Sequence, residues 1–187
     1  MENSMKLNSK NLNEIIVPAL DDFFKKETSS ILSDVSERNL CARLAMHFEN
    51  HMQKIGLNGY YADPEYNRKQ EGRVKTILSG NMEIIQITCD LIIHSRGEIP
   101  MKDNLIAIEM AKINKSPEDT QSDRHRLMTL TKSSYDDVWS FDGATFPEHV
   151  CGYVKGLYLI IDSKNRQAKV EHYAQGAPSK LIETLEF

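Results

Sequence analysis

Two carboxylates, Asp90 and Glu109, stand out because they interrupt apolar segments in which charged side chains are costly, and a lysine follows them. Asp90 lies in an alternating apolar segment, residues 85–94, and Glu109 interrupts the apolar run Leu105–Met110. Lys112 follows shortly after Glu109. A buried carboxylate without a partner is destabilising by several kcal/mol, so such a pair calls for a cation or a proton. Two hard oxygen donors on neighbouring strands describe a Mg²⁺ or Mn²⁺ site that could polarise a phosphate and activate a bound water.

The elements that must position these residues are two β-strands joined by a turn, between Met82 and Lys112. The period-2 alternation of the first strand directs Asp90 away from the face that carries Leu91 and Ile93. The continuous apolar run around Glu109 is typical of a strand that is covered on both faces. The alternative is that Asp90 lies at a bulge and Glu109 at a solvated strand edge, and that neither has a function.

The order of the surrounding segments carries a resemblance. Between about Ser36 and Asp162 the chain contains SERNLCARLAMHFE, DPEYNR, CDLIIHSRG, NLIAIEMAK and GLYLIID, in that order. This series resembles the PD-(D/E)XK nuclease superfamily. The resemblance implies a restriction-endonuclease-like α/β core, with a central mixed β-sheet flanked by helices. It also implies metal-dependent phosphodiester hydrolysis, with DNA as the expected substrate, in defence or DNA processing. Asp90 and Glu109 would then bind Mg²⁺ or Mn²⁺, and Lys112 would be the catalytic amine.

Two positions depart from the pattern of that superfamily. Cys89 replaces a proline that only shapes the strand, whereas the lysine of the motif stands one position late, at Lys112 instead of Ala111. On a regular strand residues 109 and 111 share a face and residue 112 points to the other. Lys112 reaches the site only if a β-bulge or a turn rotates it. Otherwise the protein is a catalytically impaired, nuclease-like binding or regulatory module, or an enzyme of unrelated chemistry.

A helix before the strands offers a third carboxylate. Asp34 and Glu37 have the spacing of a capping box, and Gly56 is the expected terminator. Apolar residues recur along the segment at helical spacing, so we expect this helix to pack on the sheet. The resemblance makes Glu37 a candidate third metal ligand or water-orienting group. The alternative is a cap residue that satisfies backbone donors.

A second helix is predicted from Pro117 to about Lys132, with Ser116 as its N-cap. The pattern places Asp123 on the inner side and Arg124, Arg126 and Lys132 toward solvent. A basic face beside a metal site could hold the phosphates of a nucleic acid. The alternative is an ordinary solvated face.

The remaining elements complete the predicted organisation. Residues 1–33 are expected to form an N-terminal helix and connection outside the core, and residues 34–187 the nuclease-like α/β domain. We expect an edge strand at Tyr60–Asn67, two further strands after Tyr153, and a short C-terminal helix at Ser179–Leu185. The basic loop of residues 68–75 and the aromatic loop Tyr135–His149 are candidate contact surfaces.

Composition restricts the classes of function. The chain has 187 residues, a net charge of −4 and 40% hydrophobic residues, with a sequence pI near 5.9. That charge argues against a protein that coats nucleic acid through bulk electrostatics, so any DNA contact must come from local patches or through a metal. A homodimer or a protein partner remains open. No apolar run is long enough for a membrane span and no signal segment is evident, so we expect a soluble, cytoplasmic protein.

Overall fold

The computed structural model describes residues 9–65, 76–78, 84–86, 89–132 and 151–187. They form an α/β fold in which helices flank a six-stranded, open, mixed sheet. The helices are α1 (Ser9–Lys26), α2 (Thr28–Leu32), α3 (Glu37–Lys54) and α4 (Pro117–Leu130). The strands are β1 (Tyr61–Pro64), β2 (Thr76–Leu78), β3 (Ile84–Gln86), β4 (Leu91–His94), β5 (Asn104–Lys112), β6 (Lys155–Asp162), β7 (Gln167–Ala174) and β8 (Ala177–Glu186).

The sheet combines an antiparallel half with one parallel crossover. Strands β1, β4 and β5 pair antiparallel in that spatial order. Strand β6 then lies parallel to β5, and α4 lies in the chain between them, as a parallel connection requires. Strands β7 and β8 extend the sheet as antiparallel neighbours. As predicted, β1 is an edge strand, and it contains Asp63 and Pro64.

The prediction of one strand through residues 85–94 is wrong. Strand β3 pairs with β2 in a separate two-stranded sheet, and β4 begins only at Leu91. Asp90 therefore lies immediately before a strand and not within one. Alternation indicates extended backbone but does not say which neighbour the backbone pairs with, and here the two halves of the run have different partners.

Two apolar clusters cover the two faces of the sheet. One contains buried residues of α1 and α3 together with Leu91, Ile108 and Met110. The other contains Ala107 and Ala111 with Leu127 and Leu130 of α4. From Ile106 onward the faces of β5 are thus assigned by residue parity: even-numbered residues face α1 and α3, and odd-numbered residues face α4.

The N-terminal helix belongs to the core and does not lie outside it. Its residues Leu12, Ile16 and Phe23 are almost completely buried in the same cluster as the strands. Pro18 lies inside the helix, which continues on both sides of it. The expected position of α1 outside the core is therefore corrected, because its amphipathic stripe packs against α3.

Helix boundaries follow local capping chemistry. Helix α3 is capped by Ser36, whose hydroxyl accepts a 3.3 Å hydrogen bond from the Asn39 amide, and not by Asp34 as the capping-box spacing suggested. Gly56, with φ of +70°, follows the end of α3, as predicted. Ser116 caps α4 as predicted, since its hydroxyl accepts from the Asp119 amide at 3.1 Å.

The predicted C-terminal helix is wrong, because Ala177–Glu186 forms β8. Gln175 and Gly176 both have positive φ, +53° and +76°, which is the geometry of a tight hairpin turn. That turn brings the last segment back alongside β7. A segment in this position gains backbone hydrogen bonds with its neighbouring strand, with an irregularity between Glu171 and Tyr173, and an isolated two-turn helix lacks such partners.

No helix among the described residues could span a membrane. None of their helices combines the length and the apolar character that crossing a bilayer requires.

Candidate functional site

Asp90 and Glu109 meet on the α4 face of the sheet. Strand β4 pairs Leu91 with Ile108, so Asp90, one residue earlier, comes opposite Glu109. The Met110 amide donates a 2.8 Å hydrogen bond to Oδ2 of Asp90, and the Asp90 charge lies close enough to Glu109 to raise the pKa of Glu109. The two predicted acidic residues therefore converge in one place.

Burial favours the protonated form of both carboxyl groups of this pair. It raises the pKa of Asp90. It also raises the pKa of Glu109, to which the adjacent Asp90 charge adds. Glu109 is only 1% exposed. Asp90 beside it is half-buried, and two neighbouring carboxyl groups in such a setting share a proton unless a cation takes its place. The pair is thus a site that favours a cation.

Arg126 and Asp123, both on α4, complete the centre of the site. Nη1 of Arg126 lies 2.6 Å from Oε1 of Glu109 and 3.2 Å from Oδ1 of Asp123. The expectation that Arg126 faces solvent is therefore wrong. Positions 123, 126, 127 and 130 lie on the same face of the helix, since they are three or four residues apart, and that face packs on the sheet.

Lys115 approaches the same group of carboxylates from the turn after β5. Its Nζ lies 2.5 Å from Oδ2 of Asp123, and the Tyr158 hydroxyl donates to that same oxygen at 3.1 Å. Burial lowers the pKa of Lys115, but the hydrogen bond to Asp123 and the charges of Asp123, Asp90 and Glu37 outweigh it and raise the pKa. Lys115 therefore stays an ammonium ion beside the carboxylates.

Lys112 does not join Asp90 and Glu109. Its side chain lies toward α3 and pairs with Asp34, with Nζ 2.6 Å from Oδ1. The pairing of β5 with β6 continues without a shift through Lys112, so no bulge rotates the lysine to the Glu109 face. The predicted catalytic role of Lys112 thus lacks the geometry that it requires, because strand parity directs the side chain to the other face.

Glu37 lies at the edge of the site without facing its centre. Its Oε1 accepts a 3.1 Å hydrogen bond from the Lys112 backbone amide, which ties the beginning of α3 to the end of β5. Ser36 provides the helix cap instead. Glu37 is close enough to affect the pKa of Lys115, but its observed partner is a backbone donor.

The predicted basic face of α4 is divided among separate partners. Arg124 forms a two-pronged ion pair with Glu171 of β7, at 2.9 and 2.8 Å, and Arg126 turns to Glu109. The Lys132 side chain lies beside Gly176 in the β7–β8 turn. These three residues therefore do not form one phosphate-binding surface. The two loops that we considered as contact surfaces, residues 68–75 and 135–149, lie outside the described residues.

The donor set fits some metal ions better than others. Over the described ranges, no group of three His, Cys, Asp or Glu residues has an arrangement that could hold a metal ion. Zn²⁺ sites use three or four protein ligands, whereas Mg²⁺ is held by one or two carboxylates plus water and substrate phosphate oxygens. The Asp90 and Glu109 carboxylates match the second case.

Comparisons with known proteins leave the chain unassigned. No family model, curated protein or solved structure matches it. Sequence reasoning missed Asp123 and Lys115 as site residues. A signal existed for Asp123, an acid on the apolar stripe of α4, but none for Lys115, which lies in a turn.

Proposed function

We propose that this protein is a metal-dependent nuclease that hydrolyses a phosphodiester bond, with DNA as substrate. The observation that carries the proposal is the position of Asp90 beside the buried Glu109 on one face of the sheet, where the Met110 amide holds the Asp90 carboxylate and the Asp90 charge raises the pKa of Glu109. Had strand parity separated them, no common site would exist. Buried, perturbed carboxylates in contact are typical of functional sites.

The order of elements supports a restriction-endonuclease-like core. Helix α3 precedes the antiparallel set β1, β4 and β5, and α4 leads to the parallel strand β6. This is the helix, three-strand, helix, strand order expected from the resemblance. Asp90 lies immediately before β4 and Glu109 lies on β5, near the end of β5 that leads into α4.

Each residue of the site has a distinct task in this proposal. Asp90 and Glu109 would hold Mg²⁺ or Mn²⁺, which when bound polarises a phosphate and lowers the pKa of water. The Lys115 ammonium supplies the positive charge that Ala111 lacks, and Asp123 positions it. Tyr158 in turn donates a hydrogen bond to Asp123. Lys115 can stabilise negative charge that develops on a phosphate.

Partner and location follow from the same proposal. The substrate is a nucleic acid, and the net charge of −4 requires that the metal and local cations, and not bulk charge, draw the phosphate in. Action in the cytoplasm, in defence or DNA processing, is part of the proposal.

A second candidate function is a nuclease-like binding module without chemistry. Arg126 favours it, because its guanidinium lies on Glu109, where a metal ion would have to bind. Lys112 favours it as well, because it is paired with Asp34 on the other face.

Cleavage assays separate the two candidates. Plasmid DNA, linear DNA and RNA are incubated with purified protein in Mg²⁺ and in Mn²⁺. We expect cleavage that both Asp90→Asn and Glu109→Gln abolish, while Glu118→Gln, at an exposed carboxylate of α4, retains it. No cleavage in any condition by a wild-type protein that binds the metal would favour the module.

A further inference from the structure

Two arginines two residues apart on α4 hold carboxylates of the sheet in different ways. Arg124 uses Nε and Nη2 together on the two oxygens of Glu171, which is the strong, two-pronged arrangement of a guanidinium. Arg126 reaches Glu109 and Asp123 with Nη1 alone. Its Nε is buried and has no hydrogen-bond partner within the part of the chain that is described. The contact of Arg126 is thus the less complete of the two.

Two cations compete for the carboxylate oxygens of Glu109. In the proposed function these oxygens bind a divalent ion together with Asp90, and in the structure Arg126 lies 2.6 Å from one of them. A guanidinium and a divalent ion repel each other strongly at such separations in a site of low dielectric. The two cannot both be fully bound to Glu109.

Asp123 makes the release of Arg126 feasible. Its Oδ2 is already neutralised by Lys115 and accepts from Tyr158, so only Oδ1 loses a partner when Arg126 leaves. The Arg126 side chain is 16% exposed, so it borders solvent and has a route out of the site. Glu109, which is buried, would be left with an unpaired charge that an arriving ion neutralises.

We propose that the Arg126 guanidinium is a resident counter-ion of Glu109, and that a divalent cation binds at Asp90 and Glu109 only by displacing it. The inference rests on the proposed function for the position of the metal and adds how that position is regulated. In the absence of metal, Arg126 keeps the buried carboxylates neutralised. Metal affinity is set by the competition between the two cations, and Arg126 keeps it weak.

The test compares Mn²⁺ affinity in wild-type protein, Arg126→Met and the matched control Arg124→Met by calorimetric titration, with circular dichroism to confirm folding. Removal of the competing charge should tighten Mn²⁺ binding about tenfold in Arg126→Met. The control, which removes an arginine of the same helix outside the carboxylate site, should stay within about twofold. A folded Arg126→Met that binds Mn²⁺ no more tightly than wild type overturns the proposal, as does the absence of Mn²⁺ binding in both proteins.

A measurement on the wild-type protein covers the case in which Arg126→Met does not fold. Nuclear magnetic resonance of protein with ¹⁵N-labelled arginine follows the side-chain Nε–H of Arg126 and Arg124 during titration with Mg²⁺. Displacement predicts that the Arg126 signal shifts and exchanges faster with water, whereas the Arg124 signal stays. An Arg126 signal unchanged at saturating Mg²⁺ overturns the proposal. A wild type that leaves DNA intact contradicts the proposed function only, and the Mn²⁺ affinities still decide this inference.

Discussion

The backbone amide of Met110 donates a 2.8 Å hydrogen bond to Oδ2 of Asp90, which holds this carboxylate against that of Glu109. The contact joins the residue before β4 to the strand β5, so the sheet itself positions the acidic pair. Because Glu109 is buried and Asp90 beside it is half-buried, the two carboxyl groups are stable together only with a shared proton or a cation. The chemistry of the site follows from this relationship.

Asp90→Asn should stabilise the metal-free protein at neutral and alkaline pH. Burial raises the pKa of Asp90 in the folded state above the usual 3.8. The folded protein therefore binds the proton more tightly than the unfolded chain, and stability is lost as pH rises from about 4 through the folded pKa. An asparagine keeps an oxygen for the Met110 amide and removes the charge. We expect a gain of about 1–2 kcal/mol at pH 8, measured by thermal melting.

The pH dependence of that gain in stability shows whether removal of the Asp90 charge is its cause. The difference in melting temperature between Asp90→Asn and wild type should shrink toward zero below about pH 3, well under the usual pKa of 3.8, where Asp90 is protonated in both the folded and the unfolded state. Glu118→Gln, at an exposed position of α4, should show no such trend. A gain that is constant with pH would mean that the buried charge is not its source.

Lys115→Met should reduce DNA cleavage about a hundredfold, whereas Lys112→Met should leave it within about threefold. Lys115 contacts Asp123 in the carboxylate site, and Lys112 is paired with Asp34 on the opposite face. Steady-state kinetics should place the loss in kcat and not in KM. The reverse ranking of the two lysines would show that Lys112 moves into the site when substrate binds.

Ala111→Lys should partly restore activity to Lys115→Met. Ala111 shares the face of β5 with Glu109 and is 1% exposed, against α4. A lysine there would reach the carboxylates from the strand, as the motif of the resembled superfamily has it. We expect about a tenfold recovery of cleavage together with a lower melting temperature, because the added chain overfills a packed face. Ala111→Met in the same background is the control and should lower stability without recovery.

Asp22→Asn should remove part of the acid sensitivity of the contact between α1 and α3. Asp22 pairs with Lys26 at 2.8 Å and with His51 of α3 at 3.1 Å. Hydrogen bonds from Lys26 and then His51 lower the pKa of Asp22 from 3.8 to about 2. The contribution is therefore present above pH 3.8 and is lost as pH falls through about 2.

Acid titration followed by helical circular dichroism checks this expectation. Wild type should lose stability between about pH 4 and pH 2 more steeply than Asp22→Asn. Asp21→Asn, at an exposed neighbouring position, should titrate like wild type. Identical acid transitions for wild type and Asp22→Asn would mean that the ion pairs contribute nothing at this junction.

Local patterns determined several parts of this structure. Ser116 and Pro117 set the beginning of α4, and Gly56 follows the end of α3, because caps and positive φ depend on a few adjacent residues. Strand parity placed residues 109 and 111 on one face of β5 and Lys112 on the other. Local patterns failed for Ala177–Glu186, since a short segment near a sheet edge adopts the structure whose hydrogen-bond partners the neighbouring strand supplies.

The amino-acid sequence by itself determined the α/β class, the place of Glu109 on a covered strand and the direction of Lys112 to the opposite face of that strand, because each depends on order and period along the chain. Only the tertiary structure decided which cations meet Asp90 and Glu109. Arg126 comes from α4 and Lys115 from a turn, and each reaches the carboxylates because helix and sheet pack face to face. Contacts between distant segments depend on packing, and no local pattern of residues encodes them.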